Sequence, residues 1–276
     1  MDRIAAAPMS KMTRAGRLPS LDGLRGVLAV VVMLAHFTSA LGEPRGLPLA
    51  RTSVYGFFVI SAYALTVSWE SGYLVFVLKR FVRLWPAYAA ALAIGTLLTG
   101  FPTPWHDFFW VPFRGYNTPF PQDPVVWSLY TEVYASAAMP LIVLAAKRNA
   151  TAIATAIVCC LLSAFQYDLA LAPFFIAGAY AATRVGFDFA VLNWSAPQWL
   201  GKISYSLYLT HAMTIITCKH FLPHFWMLIA IPFSFGVAMV FYRYVEAPSI
   251  QLSRALAKGL SRPRVRAPRL IIETEA

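Results

Sequence analysis

Residues 17–37 read RLPSLDGLRGVLAVVVMLAHF, and from Val27 to Ala35 no side chain in this stretch is polar. An apolar run of this kind with charge at its start is long enough, once it continues toward residue 41, to cross the hydrocarbon core of a bilayer as a helix. The same pattern recurs along the chain, and 59% of its 276 residues are hydrophobic while only 13% are charged. Mean hydropathy is +0.60. A water-facing surface cannot be built from that composition. The fold expected is all-α, a polytopic transmembrane helix bundle with about eight spans, at residues 22–41, 54–69, 74–99, 125–146, 150–167, 169–184, 203–220 and 225–244.

Charge sets the orientation. With both termini cytoplasmic, nineteen of the 23 Lys and Arg fall on the inner side, and only Arg45, Arg51, Arg114 and Lys219 lie outside. This asymmetry is the positive-inside pattern, so a net charge of +11 needs no nucleic acid to explain it. The location expected is the cell (inner) membrane, multi-pass. Residues 1–19 read as a cytoplasmic tail, since they hold cations but no long apolar core ahead of a cleavage site. Residues 20–249 read as the transmembrane domain and 250–276 as a basic cytoplasmic tail, disordered and facing anionic lipid. Cys159, Cys160 and Cys218 have no metal-type spacing, and neither a metal nor redox chemistry is expected. The segment FPTPWHDFFWVPFRGYNTPFPQDP, ending at 124, is rich in aromatics and proline; an interfacial belt is favoured there over a sugar-stacking platform.

Ionisable groups inside spans are costly and need a partner or a task. Arg25 and His36 are eleven residues apart, close to three full turns, so they share one helix face about 16 Å apart along the axis. The bland alternatives are a snorkelling anchor for Arg25, or a partner for Asp22, and an interhelical hydrogen bond for His36. In LKRFVRLWPAY, Arg80 and Arg83 sit at i,i+3 beside Lys79, a fork suited to phosphate, although a topology cluster is the commoner meaning of such a group. Pro86 is expected to kink that helix. Glu132 in VVWSLYTEVYASAAMP enters from the outside to about the depth His36 reaches from the inside, which suggests a carboxylate orienting an imidazole base. Two unrelated buried polar groups are the alternative. Tyr205, Tyr208 and His211 recur every third residue in GKISYSLYLTH, a stripe that lines a cavity or glues helices together. Glu246 in YRYVEAPS is expected to pair with Arg243.

Taken in order, RLPSLDGLRGVLAVVVMLAHF, GFFVISAYALT, KRFVRLWPAY, WSLYTE, FFIAGAYAA, GKISYSLYLTH and YRYVEAPS resemble the acyltransferase 3 family of integral membrane acyltransferases, from about residue 17 to 249. The resemblance implies transfer of an acyl group, usually acetyl, from acyl-CoA (acetyl-CoA) to a hydroxyl of a cell-surface carbohydrate or lipid-linked glycan. By position His36 matches the family's essential histidine and Arg25 its basic partner. Arg80 and Arg83 match its donor-binding pair, and Glu132 the acid of its WSL-containing motif. Trp127, Tyr205, Tyr208 and His211 are candidate substrate contacts. The partners implied are a carbohydrate or glycolipid acceptor and membrane lipid, with no nucleic acid. The chain departs from the pattern in lacking a pair of spans between FFIAGAYAA and GKISYSLYLTH and in having Ala62 where Gly is usual. That leaves open a homo-oligomer or a partner subunit that completes the bundle, and two rival readings: a transporter or flippase for a small anion or lipid-linked sugar, and a non-catalytic family member.

Overall fold

The computed structural model describes residues 18–68, 72–100, 102–108 and 125–260. Within them every regular element is a helix. Helix α1, Pro19–Ala40, starts with Pro in its first turn and Asp22 beside its positive end, both favourable there. α2 is Gly46–Val67, and α3 is Tyr73–Thr99, which runs through Pro86 as one element and stops at Gly100 in the left-handed conformation. Glycine suits that position because a Cβ would crowd the backbone. α4, Trp127–Ala137, and α5, Met139–Ala146, are bent by 70° to one another. Pro140 in the first turn of α5 accounts for the break, since its ring cannot sit in a helix interior without a clash. α6, Asn149–Leu162, and α7, Ala172–Ala182, are short. α8 is Ser195–Phe221, and α9, Trp226–Phe241, passes through a π-helical turn at Tyr242–Glu246 into α10, Ala247–Leu260.

Three of these stretches are long and apolar enough to cross a bilayer: Pro19–Ala40, Tyr73–Leu98 and Trp226–Leu260. The bent α4–α5 pair makes a fourth if it counts as one span. That is fewer than the eight expected. α2 and α8, at 22 and 27 residues, also have the length to cross, and each has polar groups on its inner face. They turn Ser61, Ser204, Ser206, Thr210 and His211 into the protein interior, all buried. A helix walled in by others has no need to be apolar on every side. On the outside, by contrast, Leu97 is 83% and Leu228 77% exposed, side chains suited to lipid contact.

α1 lies at the centre, against α2 on one side and α8 on the other, with α7 behind α2 and α9 behind α8. α1 and α8 approach backbone to backbone where Gly26 meets Gly201: a Cβ on Gly26 would run into the Gly201 nitrogen and Leu200. Small residues at such a crossing let helices pack closely in the absence of a hydrophobic drive between them. At the far end of the same pair, the Lys219 ammonium donates to the carbonyl of Ala40 at 2.9 Å. The connection from α7 to α8 is short. It is held to α1 by Ser20, whose hydroxyl donates to Asp188 at 3.1 Å and accepts from the amide of Phe189 at 2.9 Å.

The boundary expected at residue 250 falls inside α10. This segment is ordered up to Leu260, because α10 packs on α3 and the Ser253 hydroxyl donates to the Lys79 carbonyl at 2.9 Å. The rest of the basic tail, the N-terminal tail to residue 17 and most of the aromatic segment before 124 lie outside the described residues.

Candidate active site

A cavity of about 800 Å³ opens between α1, α2, α3, α4, α8 and α10. Its wall carries Arg25, Lys79, Arg80, Arg83, Lys202 and Arg254 against Asp22, Glu132 and Glu246. Positive charge is therefore in excess. The volume lies within the range of small-molecule sites, about 300–1,000 Å³.

Helix periodicity explains how α3 supplies its part. Arg80 and Arg83, three residues apart, both reach the cavity, while Phe81 between them is partly exposed on another face. They are not equivalent, however. The Arg80 guanidinium forms an ion pair with Glu132, donates to Ser61 at 2.9 Å and, through Nε, to Ser136 at 3.2 Å. Ser61 in turn donates to the same Glu132 oxygen at 2.9 Å. Arg80 is thus a closed structural node joining α2, α3 and α4. Arg83, by contrast, has no hydrogen bond or ion pair among the described residues. Arg25 is only loosely held, 3.9 Å from Asp22 on its own helix. Of the pair expected to form a phosphate fork, Arg80 is engaged by Glu132, Ser61 and Ser136, whereas Arg83 has no such partner among the described residues.

Glu132 and His36 do not meet. Sharing a depth says nothing of the direction in which a side chain leaves its helix, and Glu132 turns to Arg80 because a buried carboxylate gains most from a guanidinium. His36 has another partner. Its Nδ1 lies 2.9 Å from the Val32 carbonyl and 3.3 Å from Nε2 of His211, and the two rings meet edge to face with centroids 4.9 Å apart. The Nδ1 of His211 lies 3.0 Å from the Leu207 carbonyl. Carbonyl oxygens only accept, so each Nδ1 carries hydrogen, and each Nε2 keeps a lone pair. The Nδ1–H of His36 is then shared between Val32 and His211. His36 is half-buried, whereas His211 is fully buried.

Of the remaining candidates, Tyr205 and Tyr208 line the cavity. Tyr205 donates to the Leu84 carbonyl at 3.1 Å. The hydroxyl of Tyr208 lies 2.7 Å from that of Ser128 and 3.1 Å from the Val125 carbonyl, which ties α8 to the start of α4. Tyr208 also stacks edge-on against Phe57, and its ring lies 6.0 Å from His211. His36 and His211 are not part of the described lining, whereas Tyr208, one helical turn before His211, is. Trp127 packs against Phe58 in the core and is not part of the described lining.

Several contributors escaped the sequence. Ser61 and Ser136 carry no signal in the sequence that sets them apart from other serines in apolar runs, and Arg254 was assigned to a tail. Glu246 does not pair with Arg243: its carboxylate accepts from the amide of Ser206 at 3.1 Å and from its hydroxyl at 2.5 Å. The π turn at Tyr242–Glu246 advances the helix phase by part of a turn and swings Glu246 inward.

Searches of curated proteins and of solved structures found no match. Residues 18–188, from the start of α1 past the end of α7, match the family model described as an acyltransferase domain. This is more than half of the chain, and it carries Arg25, His36, Arg80, Arg83 and Glu132 on the helices just described; the chain belongs to the acyltransferase 3 family.

Proposed function

We propose that the protein transfers an acyl group, acetyl in the simplest case, from acyl-CoA to a hydroxyl of a cell-surface carbohydrate or lipid-linked glycan, in the inner membrane and with both termini cytoplasmic. The observation that carries this reading is the cavity with excess positive charge that rises to Tyr208, the residue one turn below the paired imidazoles of His36 and His211. Phosphates of the donor pair with Arg25, Arg83, Lys79, Lys202 and Arg254. The acyl-bearing arm passes upward between α2 and α8 and reaches His36 when the rings of Tyr208 and Phe57 move aside. Nε2 of His36 takes the proton of the acceptor hydroxyl as its oxygen bonds to the thioester carbonyl carbon. The carbon–sulfur bond then breaks, and the departing thiolate takes that proton from Nε2 and leaves as the free thiol of CoA. Apolar walls keep competing water away from the thioester. Glu132 contributes by holding Arg80, and through it the mouth of the cavity, in place.

The test is turnover by purified protein in detergent supplied with acyl-labelled CoA and a glycan acceptor. Label on the acceptor together with free CoA is the expected result, and His36→Ala should abolish both while the protein still inserts. Turnover retained by His36→Ala would remove the histidine from the mechanism. Donor uptake into vesicles without CoA release would identify a transporter instead.

A further inference from the structure

We propose that His211 is a positioning residue for His36, the role expected from the sequence for Glu132; the proposal rests on the reading of His36 as the base. Three observations converge on it. The His211 ring is fully buried while that of His36 is half-buried, so only His36 can meet a substrate and His211 can act only through it. Its Nδ1–H is committed to the Leu207 carbonyl, which fixes Nε2 as an acceptor, and that acceptor lies 3.3 Å from Nδ1 of His36. The Gly26–Gly201 crossing and the Lys219–Ala40 bond fix α1 and α8 at both ends of the segment that bears the two rings.

The consequence is chemical. Holding hydrogen on Nδ1 of His36 leaves Nε2 as the only atom of that ring able to take a proton. When Nε2 is protonated, the hydrogen bonds from Nδ1 to His211 and to Val32 become charge-assisted and strengthen, which favours the proton-accepting step over the resting state. No proton needs to leave His36 for this; His211 stays neutral throughout and returns to its starting state after each turnover. A neutral acceptor also suits the site better than a carboxylate would, since no uncompensated charge is buried while the enzyme waits.

The experiment compares His211→Leu, which keeps bulk but removes the acceptor, with His211→Gln, whose amide oxygen occupies roughly the place of Nε2. His211→Leu is expected to lower kcat by about 10²-fold. The KM for acyl-CoA should stay within about twofold, because the donor is held elsewhere. His211→Gln should recover most of the lost kcat. Wild-type kcat in His211→Leu, or equal loss in the two variants, overturns the proposal. Solid-state ¹⁵N NMR of histidine-labelled wild-type protein reads the same point without a substitution. The His36 signals, assigned by their loss in His36→Ala, should report hydrogen on Nδ1 and a bare Nε2; the opposite tautomer overturns the proposal. His36→Ala also separates the two levels. If it turns over, the base assignment fails; if it is dead while His211→Leu is unimpaired, only the role of His211 fails.

Discussion

Glu132 on α4 and Arg80 on α3 form an ion pair in which Ser61 of α2 bonds to both members, donating to the carboxylate and accepting from the guanidinium. Three helices meet at this one node in the cavity wall, and most of each charged side chain is out of contact with solvent. Removing one member leaves the other buried without compensation, whereas removing both does not.

From this follows a stability cycle. Glu132→Ala should destabilise the protein by about 3–5 kcal/mol, with Arg80→Ala in the same range. The double variant Arg80→Leu with Glu132→Leu should lose much less than the sum. Thermal unfolding of the four proteins in detergent measures this, and additive losses would contradict the assignment of a coupled node.

Arg83 should behave differently, because no hydrogen bond or ion pair holds it among the described residues. Arg83→Gln is expected to leave the unfolding temperature nearly unchanged and to raise the KM for acyl-CoA about tenfold or more, the worth of one charged hydrogen bond. Steady-state kinetics at saturating acceptor would show the effect in KM rather than in kcat. A fall in stability with no change in donor dependence would remove Arg83 from the donor site.

The crossing of α1 and α8 tolerates no side chain. Gly26→Val would drive its Cβ and methyl groups into the backbone at Leu200 and Gly201, at a cost of about 1–3 kcal/mol or more. Since the two helices carry His36 and His211, the shift should also depress kcat in the fraction that folds. Gly236 offers the control, because nothing lies within 4 Å of an added Cβ, and Gly236→Ala should be silent in both assays.

Glu246 holds the π turn against α8. Glu246→Ala removes the acceptor for the Ser206 hydroxyl and should cost about 1–3 kcal/mol, while Glu246→Gln, which keeps an oxygen in place, should cost less. Comparison of their unfolding temperatures checks the order; equal losses would mean that charge rather than hydrogen bonding is what the turn requires.

The first helix was legible because a bilayer permits little else: an unbroken apolar run with Arg25 at its foot has to cross as a helix. The stripe of Tyr205, Tyr208 and His211 was legible for a similar reason, since a spacing of three keeps side chains on one face whatever surrounds them. The partner of His36 was not. Sequence fixes how far along its helix a residue sits, and so its depth, but the angle at which one helix faces another depends on packing, here on the glycine contact of α1 with α8. Depth alone pointed to Glu132, and only the packed bundle brings His211 beside His36. The inward turn of Glu246 was hidden by a change of phase, because straight counting from Arg243 assumes the regular pitch that the π turn interrupts. The count of about eight spans is not confirmed: three or four stretches qualify by length and apolarity among the described residues, α6 and α7 are short, and α2 and α8 turn polar groups inward.

Phe57 and Tyr208 line the described cavity on the side toward the two imidazoles and meet edge to face. On the reading proposed above, no open path to the far face is needed while the donor is seated, so vesicles carrying the protein should hold a proton gradient during turnover.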